Sequence, residues 1–118
     1  MTDRPALSIV IPAYDAATTI GATLISVFAS AERNALDVVV VDDGSNDGAA
    51  LRDALAVYPD VRLIVHEHNG GMCAARNSGI AASRGDYVTI LDADDTLVSD
   101  WHITFLRLRS RWPAEANL

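Results

Sequence analysis

The sequence predicts an α/β protein, a three-layer sandwich in which helices cover both faces of a mainly parallel sheet. Strand-like apolar runs alternate with helical segments along the 118 residues, which is typical of such sheets. Val38–Val41 is an unbroken β-branched run, and such runs occur in strands that are buried on both faces. The length suits one domain with its own core, so residues 1–118 are interpreted as a single domain.

The first strand and the first helix follow from the apolar pattern at the start of the chain. Leu7–Ile11 predicts a strand, and Pro12 ends it because proline has no backbone N–H to donate. A helix is predicted from Ala17 to about Arg33, with Asp15 or Thr18 as its capping residue. Its apolar residues recur at the spacing of one helical face: Ile20, Leu24, Val27 and Phe28.

The middle of the chain repeats this alternation. Val38–Val41 predicts the second strand, and the polar segment Asp42–Gly48 predicts a loop. A helix is predicted over Leu51–Val57, and it closes before Pro59 because the residue preceding a proline avoids the helical conformation. Val61–Val65 predicts the third strand.

The last third of the chain contains two more helices and one strand. The glycines of Asn69–Gly71 predict a loop, and a helix is predicted from Met72 to about Ser83, with Gly85 placed to stop it. Asp86–Leu91 predicts the fourth strand. Ser99-Asp100 is expected to cap a final helix that ends between Arg111 and Pro113. Its apolar positions are Ile103, Leu106 and Leu108.

Composition excludes several classes of function. The net charge is −7, which argues against a nucleic-acid backbone as the main partner. All nine basic residues are arginines, so a phosphate-binding P-loop and a Schiff-base mechanism, which both need a lysine, are excluded. Cys73 is the single cysteine, so an internal disulfide and a thiolate metal cage are excluded, and we interpret it as a small, semi-buried packing residue.

The predicted location is the cytoplasm. No apolar run approaches the roughly 18–20 residues that span a bilayer. The segment Met1–Pro5 lacks the basic flank and apolar stretch of a signal peptide.

Polar clusters directly follow three of the predicted strands: Pro12–Asp15, Asp42–Ser45 and Asp92–Asp95. The carboxyl ends of parallel strands lie at one edge of a sheet, where ligands bind at the point at which the strand order reverses. The sequence therefore predicts a binding site formed by these clusters.

The cluster after the fourth strand is the strongest candidate. In an extended segment Asp92 and Asp94 would point to the same side, roughly 6–7 Å apart. Two carboxylates so close favour a hard divalent cation, Mg²⁺ or Mn²⁺, which also binds phosphate oxygens. The alternative is an Asp-rich turn without metal.

Four other side chains also admit more than one interpretation. Tyr14 offers a ring on which a base can stack, or it is a core aromatic with a solvated hydroxyl. Arg76 pairs with a diphosphate, pairs with a loop carboxylate, or is a solvated surface residue. His66 and His68 flank Glu67 at the end of the third strand, where such a pair is more often structural than metal-binding.

Taken together, four segments resemble glycosyltransferase family 2, the GT-A fold enzymes that use nucleotide sugars. They occur in the family's order and spacing, and the resemblance runs from about Leu7 to Trp112. The segments are Ser8-Ile9-Val10-Ile11-Pro12-Ala13-Tyr14, Val40-Val41-Asp42-Asp43-Gly44-Ser45-Asn46-Asp47-Gly48, Asn69-Gly70-Gly71 with Ala75-Arg76-Asn77-Ser78-Gly79, and Gly85-Asp86-Tyr87 through Leu91-Asp92-Ala93-Asp94-Asp95.

The resemblance implies a Rossmann-like nucleotide-binding half and a role for each matching residue. Asp43 would accept a hydrogen bond from a uracil N–H, with Asp42 beside it. In the D-x-D motif, Asp94 would ligate the metal that bridges the diphosphate, and Asp92 would contact the ribose or a metal-bound water. The remaining implied nucleotide contacts are Pro12, Ala13, Tyr14, Arg76 and Ala93. Asp15 departs from the family's usual Asn.

The implied reaction transfers a sugar from a nucleotide-diphosphate sugar, with a UDP-sugar as the expected donor, to an acceptor hydroxyl. No residue matches the family's general base by position, so none is assigned. Family domains continue into an acceptor-binding half, so we expect a truncated domain, either part of a larger enzyme or a short protein without activity of its own. Self-association through the exposed truncated face is also expected.

Two other classes are disfavoured and one stays open. A phosphoacceptor receiver domain normally needs a lysine at the same edge. A Rossmann dehydrogenase needs a G-x-G-x-x-G after the first strand, where Pro12-Ala13-Tyr14 stands. A non-catalytic nucleotide- or metal-binding module would share the predicted site and remains the alternative.

Overall fold

The computed structural model describes residues 4–29, 31 and 35–111. Met1, Arg33, Trp112 and Pro113, which bound several expectations above, lie outside this range. Strands and helices alternate along the chain, so the predicted α/β class is confirmed. The elements are β1 (Leu7–Ala13), α1 (Ile20–Phe28), β2 (Leu36–Asp42), α2 (Gly48–Leu55), β3 (Arg62–Val65), α3 (Met72–Ala82), β4 (Tyr87–Ile90) and α4 (Trp101–Arg111).

The sheet is parallel at each of its three pairings, in the order β3-β2-β1-β4. β1 pairs with β2 from Leu7 opposite Leu36 to Ala13 opposite Asp42. On its other side β1 pairs with β4, from Leu7 opposite Tyr87 to Val10 opposite Ile90. The chain moves outward from β1 to β3 and then returns to β4, so the strand order reverses between β1 and β4.

The core lies on both faces of the sheet because alternate residues of a strand point to opposite sides. On one face, β1 and β2 side chains pack against α1 and α2. This cluster includes Ile9, Ile11, Val38, Val40, Ile20, Leu24, Val27, Leu51 and Leu55. On the other face, Val39 and Val41 pack with Ala75 of α3. Helices on both faces make the predicted three-layer sandwich.

α3 approaches β1 closely at Gly79. A Cβ placed on this glycine would lie 2.2 Å from Cγ1 of Val10, which no real side chain tolerates. Glycine therefore permits α3 to pack directly on the central strand, and this contact fixes the helix that borders the site described below.

The start of α1 differs from expectation. Neither Asp15 nor Thr18 caps the helix; Thr19 is the N-cap residue, and it makes no side-chain capping bond. Its hydroxyl instead donates to the Ala16 carbonyl (3.2 Å). Asp15 cannot cap because its backbone adopts φ 51° and its carboxylate accepts hydrogen bonds from Asn46.

Helix α2 begins three residues earlier than the predicted Leu51, at Gly48, because Asp47 acts as its N-cap residue. The Leu51 N–H donates to the Asp47 carbonyl (2.9 Å) and closes the first turn. The helix ends at Leu55, two residues before the predicted Val57.

The predicted apolar face of the last helix is exposed: Ile103, Leu106 and Leu108 all face outward. Trp101 and Phe105 pack against the core instead, and the Phe105 ring meets Tyr87 edge-on at 5.8 Å. α4 contains no buried residue. Among the described residues, no helix combines the length and apolar character that crossing a bilayer requires.

Candidate functional site

A cavity of about 390 Å³ opens at the carboxyl edge of the sheet, beside the reversal of strand order between β1 and β4. The β1–α1 loop, the first turns of α3 and the turn after β4 enclose it. We call it the switch-point cavity. Its lining residues are Pro12, Tyr14, Asp15, Ala16, Thr19, Met72, Arg76, Asp92, Ala93 and Asp94.

An acidic cluster after β4 borders this cavity, and Asp92 and Asp94 line it. Carboxylate oxygens of Asp92, Asp94 and Asp95 all lie within 4.8 Å of one another, and the three side chains are exposed. In the described part of the chain, no other group of His, Cys, Asp or Glu brings three ligand atoms together in this way. Three converging carboxylates provide the oxygen ligands that Mg²⁺ and Mn²⁺ accept.

The cluster is held by a turn, and the expectation of an extended segment is wrong. The Asp95 N–H donates to the Asp92 carbonyl (3.0 Å), because β4 ends at Ile90. This turn brings the carboxylates of Asp92, Asp94 and Asp95 together, whereas an extended segment would bring together only those of Asp92 and Asp94. Sequence reasoning missed Asp95 as a candidate ligand because the alternation of a strand would have pointed it away.

Two hydroxyls of α1 anchor this acidic turn. Thr23, which is fully buried, donates from Oγ1 to the Ala93 carbonyl (2.9 Å). Ser26 Oγ accepts from the Leu97 N–H (2.9 Å). These bonds connect residues about seventy positions apart in the sequence, so packing of α1 sets the position of the carboxylates.

Thr23→Val is expected to weaken Mn²⁺ binding while leaving the fold intact. Valine keeps the volume but leaves the buried Ala93 carbonyl without its donor, a loss of about 1–3 kcal/mol. The acidic turn should shift to relieve part of this energetic cost. Because the shift displaces the carboxylates, the affinity for Mn²⁺ should fall about 3- to 10-fold. Titration calorimetry with Mn²⁺ measures the change. The exposed Thr18→Val is the matched control, and equal affinities in the two variants would contradict the anchoring role.

Tyr14 also lines the cavity, and its side chain is half-exposed. Its hydroxyl accepts a hydrogen bond from Asn46 Nδ2 (3.3 Å). Asp15 accepts from the Asn46 N–H (2.8 Å), and the Asp15 N–H donates to Ser45 Oγ (3.0 Å). The loops after β1 and β2 are therefore joined, and this junction holds the Tyr14 ring. Pro12 lines the cavity beside it, while Ala13 is buried in β1.

Arg76 projects from α3 into the switch-point cavity. Its Nε is buried and has no hydrogen-bond partner among the described residues. Asp47 and Trp101 carry the two other such atoms, but neither residue lines the cavity. A buried guanidinium donor without an acceptor is costly, and Arg76 is the one arginine among the described residues that line the cavity.

Asp42 and Asp43 do not line the switch-point cavity. Asp42 is buried and accepts a hydrogen bond from the Ser45 N–H (2.9 Å). It borders a separate depression of about 350 Å³ on the side of α2 and Arg52. Neither residue joins the metal-ligand cluster. Their predicted contacts with a nucleotide stay predictions.

Asp43 is 0% exposed and is fully hydrogen-bonded. Its Oδ1 accepts from Gly70 N–H (2.9 Å) and contacts His66 Nδ1 (2.8 Å), and its Oδ2 accepts from Gly71 N–H (2.8 Å). Burial alone would raise the pKa of Asp43, but these amides and the His66 side chain outweigh it and hold the pKa below its ordinary value. Both carboxylate oxygens are thus engaged by the loop that precedes α3.

The remaining candidates have simpler positions. His66 contacts Asp43 and Ser78, and His68 is exposed beside Glu67, so neither belongs to the metal-ligand cluster. Cys73 is exposed, which corrects the expectation of a semi-buried packing residue; on α3 it lies on the solvent side of the first turn. Met72, which sequence reasoning missed, lines the cavity because it follows Gly71 at the start of the helix.

Comparison with known proteins places this site in context. The succinoglycan biosynthesis protein ExoO of Rhizobium meliloti (strain 1021) is 42% identical over 96 residues, which are 81% of this chain and 27% of the relative. The mannosyltransferase PcManGT from Pyrobaculum calidifontis, solved in complex with GDP-Man and Mn²⁺, is 28% identical with a TM-score of 0.79. That likeness covers 91% of this chain and 33% of the mannosyltransferase.

S. aureus TarS (residues 1–349), solved in complex with UDP, shares the fold with a TM-score of 0.80 at 22% identity, over 90% of this chain and 32% of TarS. The chain thus spans about a third or less of the length of each of these proteins. The sequence profile of Glycosyl transferase family 2 matches residues 8–108, and the chain therefore belongs to glycosyltransferase family 2.

Proposed function

We propose that this chain is the nucleotide-sugar-binding portion of a glycosyltransferase that moves a sugar from a nucleotide diphosphate to an acceptor hydroxyl. The observation that carries the proposal is that carboxylates and a guanidinium line the same cavity. An acidic turn faces it from β4, and Arg76, with a buried unpartnered Nε, faces it from α3. A metal-bound diphosphate offers a cation to the acidic turn and phosphate oxygens to Arg76.

The acidic turn and Arg76 each have their own part in binding. The acidic turn repels a bare diphosphate, and Arg76 attracts it, so the turn needs a cation between itself and the phosphates. Asp92, Asp94 and Asp95 would hold a divalent ion, Mn²⁺ or Mg²⁺, whose chemistry is to stabilise charge on the leaving diphosphate. The Mn²⁺ in the mannosyltransferase complex supports this assignment, and the ion used by this chain is part of the proposal.

The nucleoside is proposed to lie along Pro12 and Tyr14. Tyr14 lines the cavity and is half-exposed, and an aromatic face accepts any base by stacking. Stacking does not distinguish uracil from guanine. A UDP-sugar is therefore proposed from the family resemblance. A GDP-sugar is the alternative, because the similar mannosyltransferase was solved with GDP-Man.

The transfer itself needs an acceptor site and a general base. The described residues include no unassigned carboxylate on the cavity wall besides Asp15, which is bonded to Asn46. We therefore propose that the acceptor half of the longer protein supplies the base. The name of the relative ExoO favours a saccharide as the acceptor.

The expected result is that UDP stabilises the chain in the presence of Mn²⁺ and much less in its absence. Because a ligand that binds only the folded state raises stability by RT ln(1 + [L]/Kd), UDP at about 100 Kd adds about 2.7 kcal/mol. Thermal shifts with UDP, GDP and free phosphate, each with and without Mn²⁺, measure this effect. Equal stabilisation by UDP with and without the metal would contradict the role of the acidic turn.

Turnover separates the proposal from a non-catalytic binding module. A longer protein that contains this portion should release UDP or GDP from a nucleotide sugar in the presence of a saccharide acceptor. Binding without release in the longer protein would favour the non-catalytic alternative. Self-association and a cytoplasmic location stay predictions.

A further inference from the structure

The Asp43 carboxylate lies at one end of a continuous chain of hydrogen bonds that lies outside the switch-point cavity. His66 contacts Asp43 Oδ1 through Nδ1 (2.8 Å) and Ser78 Oγ through Nε2 (2.8 Å). Asp43 directly follows β2, His66 directly follows β3, and Ser78 lies in the middle of α3. The chain thus connects two strand ends to the helix that carries Arg76.

The same carboxylate also fixes the loop that leads into α3. It accepts from the N–H groups of Gly70 and Gly71, which precede the first residue of the helix, Met72. A negative charge at this position is favourable because the amino end of a helix carries partial positive charge. Since these two amides are bonded to Asp43, they are not available to a phosphate.

Gly44 also packs against the backbone of this loop. This residue has φ +70°, and a Cβ on it would lie 2.6 Å from the Asn69 nitrogen. The segment between His66 and Met72 is therefore held by the backbone of Gly44 and the carboxylate of Asp43. A shift of Asp43 or His66 must move the start of α3, and Arg76 lies one helical turn beyond that start.

We propose that Asp43, His66 and Ser78 form a positioning relay that fixes the start of α3 and thereby the place at which Arg76 presents its guanidinium to the nucleotide. This proposal rests on the proposed function. It gives Asp43 an indirect role, through the loop and the helix, in place of the direct base contact that the family resemblance implies.

The test is a double-mutant cycle between the relay and Arg76. Ser78→Ala removes the far end of the relay with little change in volume, and His66→Phe removes both histidine bonds. Each variant is expected to lower the affinity for UDP and Mn²⁺ about 3- to 10-fold, the effect of one lost hydrogen bond. In an Arg76→Ala background the same changes should lower it less than about twofold, because coupled residues are not additive. The matched control is His68→Phe, a change at an exposed histidine of the same loop.

A comparison of UDP with GDP separates a positioning role of Asp43 from a direct contact with the nucleotide base. A positioning relay acts equally on every nucleotide, so the loss in Asp43→Asn should be the same for UDP and for GDP. A loss confined to UDP, or a loss from His66→Phe and Ser78→Ala that is equal with and without Arg76, would overturn the proposal.

Amide hydrogen exchange gives a readout that needs no nucleotide. The Gly70 and Gly71 N–H groups should be protected in the native chain and exchange about tenfold faster in His66→Phe and Ser78→Ala. Unchanged protection in both variants would overturn the relay. If the native chain binds none of the nucleotides, the proposed function fails, and these exchange rates alone decide whether the relay exists.

Discussion

Asp94→Asn should remove the Mn²⁺-dependent part of nucleotide binding and leave the metal-independent part unchanged. The carboxylate is one of three whose oxygens lie within 4.8 Å of one another, and an amide oxygen at the same place contributes no charge. Changes to groups that merely support a metal ligand reduce affinity about 10- to 100-fold, so the loss of a ligand charge should reach at least the upper part of that range.

Calorimetry with UDP at several Mn²⁺ concentrations measures the effect. The matched control is Asp60→Asn, the same substitution at an exposed residue that precedes β3 at the other end of the sheet. Asp92→Asn and Asp95→Asn should each weaken Mn²⁺ binding as well, because the turn brings their oxygens to the same volume. Native affinity for Mn²⁺ and UDP in Asp94→Asn would reject the metal assignment.

Most of the fold was predictable because it follows from local patterns. The β-branched run Val38–Val41 and the apolar spacing of Ile20, Leu24 and Val27 each determine one element without reference to the rest of the chain, and all of these residues are buried. Element ends were less predictable. α2 begins earlier than predicted because Asp47 is its N-cap residue. The Asp47 side chain also accepts a hydrogen bond from the Ala17 N–H of the β1–α1 loop (3.0 Å), a contact that local sequence does not indicate.

The candidate site shows where sequence reasoning stops. The carboxyl edge and its acidic cluster were predictable from the alternation of strands and helices and from the residues that follow each strand, and the cavity lies at that edge. The turn that holds the cluster was not predicted. The different environments of the individual carboxylates were not predictable. Asp43 and Asp94 both come shortly after the carboxyl end of a strand, β2 and β4 on either side of β1, but Asp43 is fully buried and Asp94 is exposed. That difference depends on amides supplied by Gly70 and Gly71, which lie 27 and 28 residues away in the sequence.

Loss of a single charge at the amino edge of the sheet is expected to have the largest effect on stability. Asp37 of β2 is 7% exposed. Arg62 of β3 donates to both of its oxygens (2.8 and 2.9 Å from Nη2). The Ser8 hydroxyl (2.6 Å) and the Arg84 N–H (2.8 Å) also donate to Oδ2. This carboxylate therefore joins β1, β2, β3 and the segment after α3.

Asp37→Asn should destabilise the chain by about 3 kcal/mol, because removal of one partner leaves the largely buried Arg62 uncompensated. Against a total of about 5–15 kcal/mol for a domain of this size, the loss corresponds to a fall in Tm of about 10–20 °C. Thermal unfolding measures it. The control is Asp86→Asn, which breaks the exposed pair of Arg4 and Asp86 (3.0 Å) and should cost less than about 1 kcal/mol. Equal falls in Tm in the two variants would contradict the central role of Asp37.

The stabilising effect of Asp37 should depend on pH in a defined direction. Burial would raise the pKa of Asp37, but the Ser8 hydroxyl, the Arg84 amide and the Arg62 guanidinium hold the pKa below its ordinary value of 3.8. A carboxyl whose pKa is lowered by folding adds stability that is complete above the unfolded value and is lost as the pH falls through the folded value. The difference in Tm between the native chain and Asp37→Asn should therefore be constant from about pH 5 to pH 8 and shrink below about pH 4. A difference that persists unchanged at low pH would show that the variant loses packing and not charge.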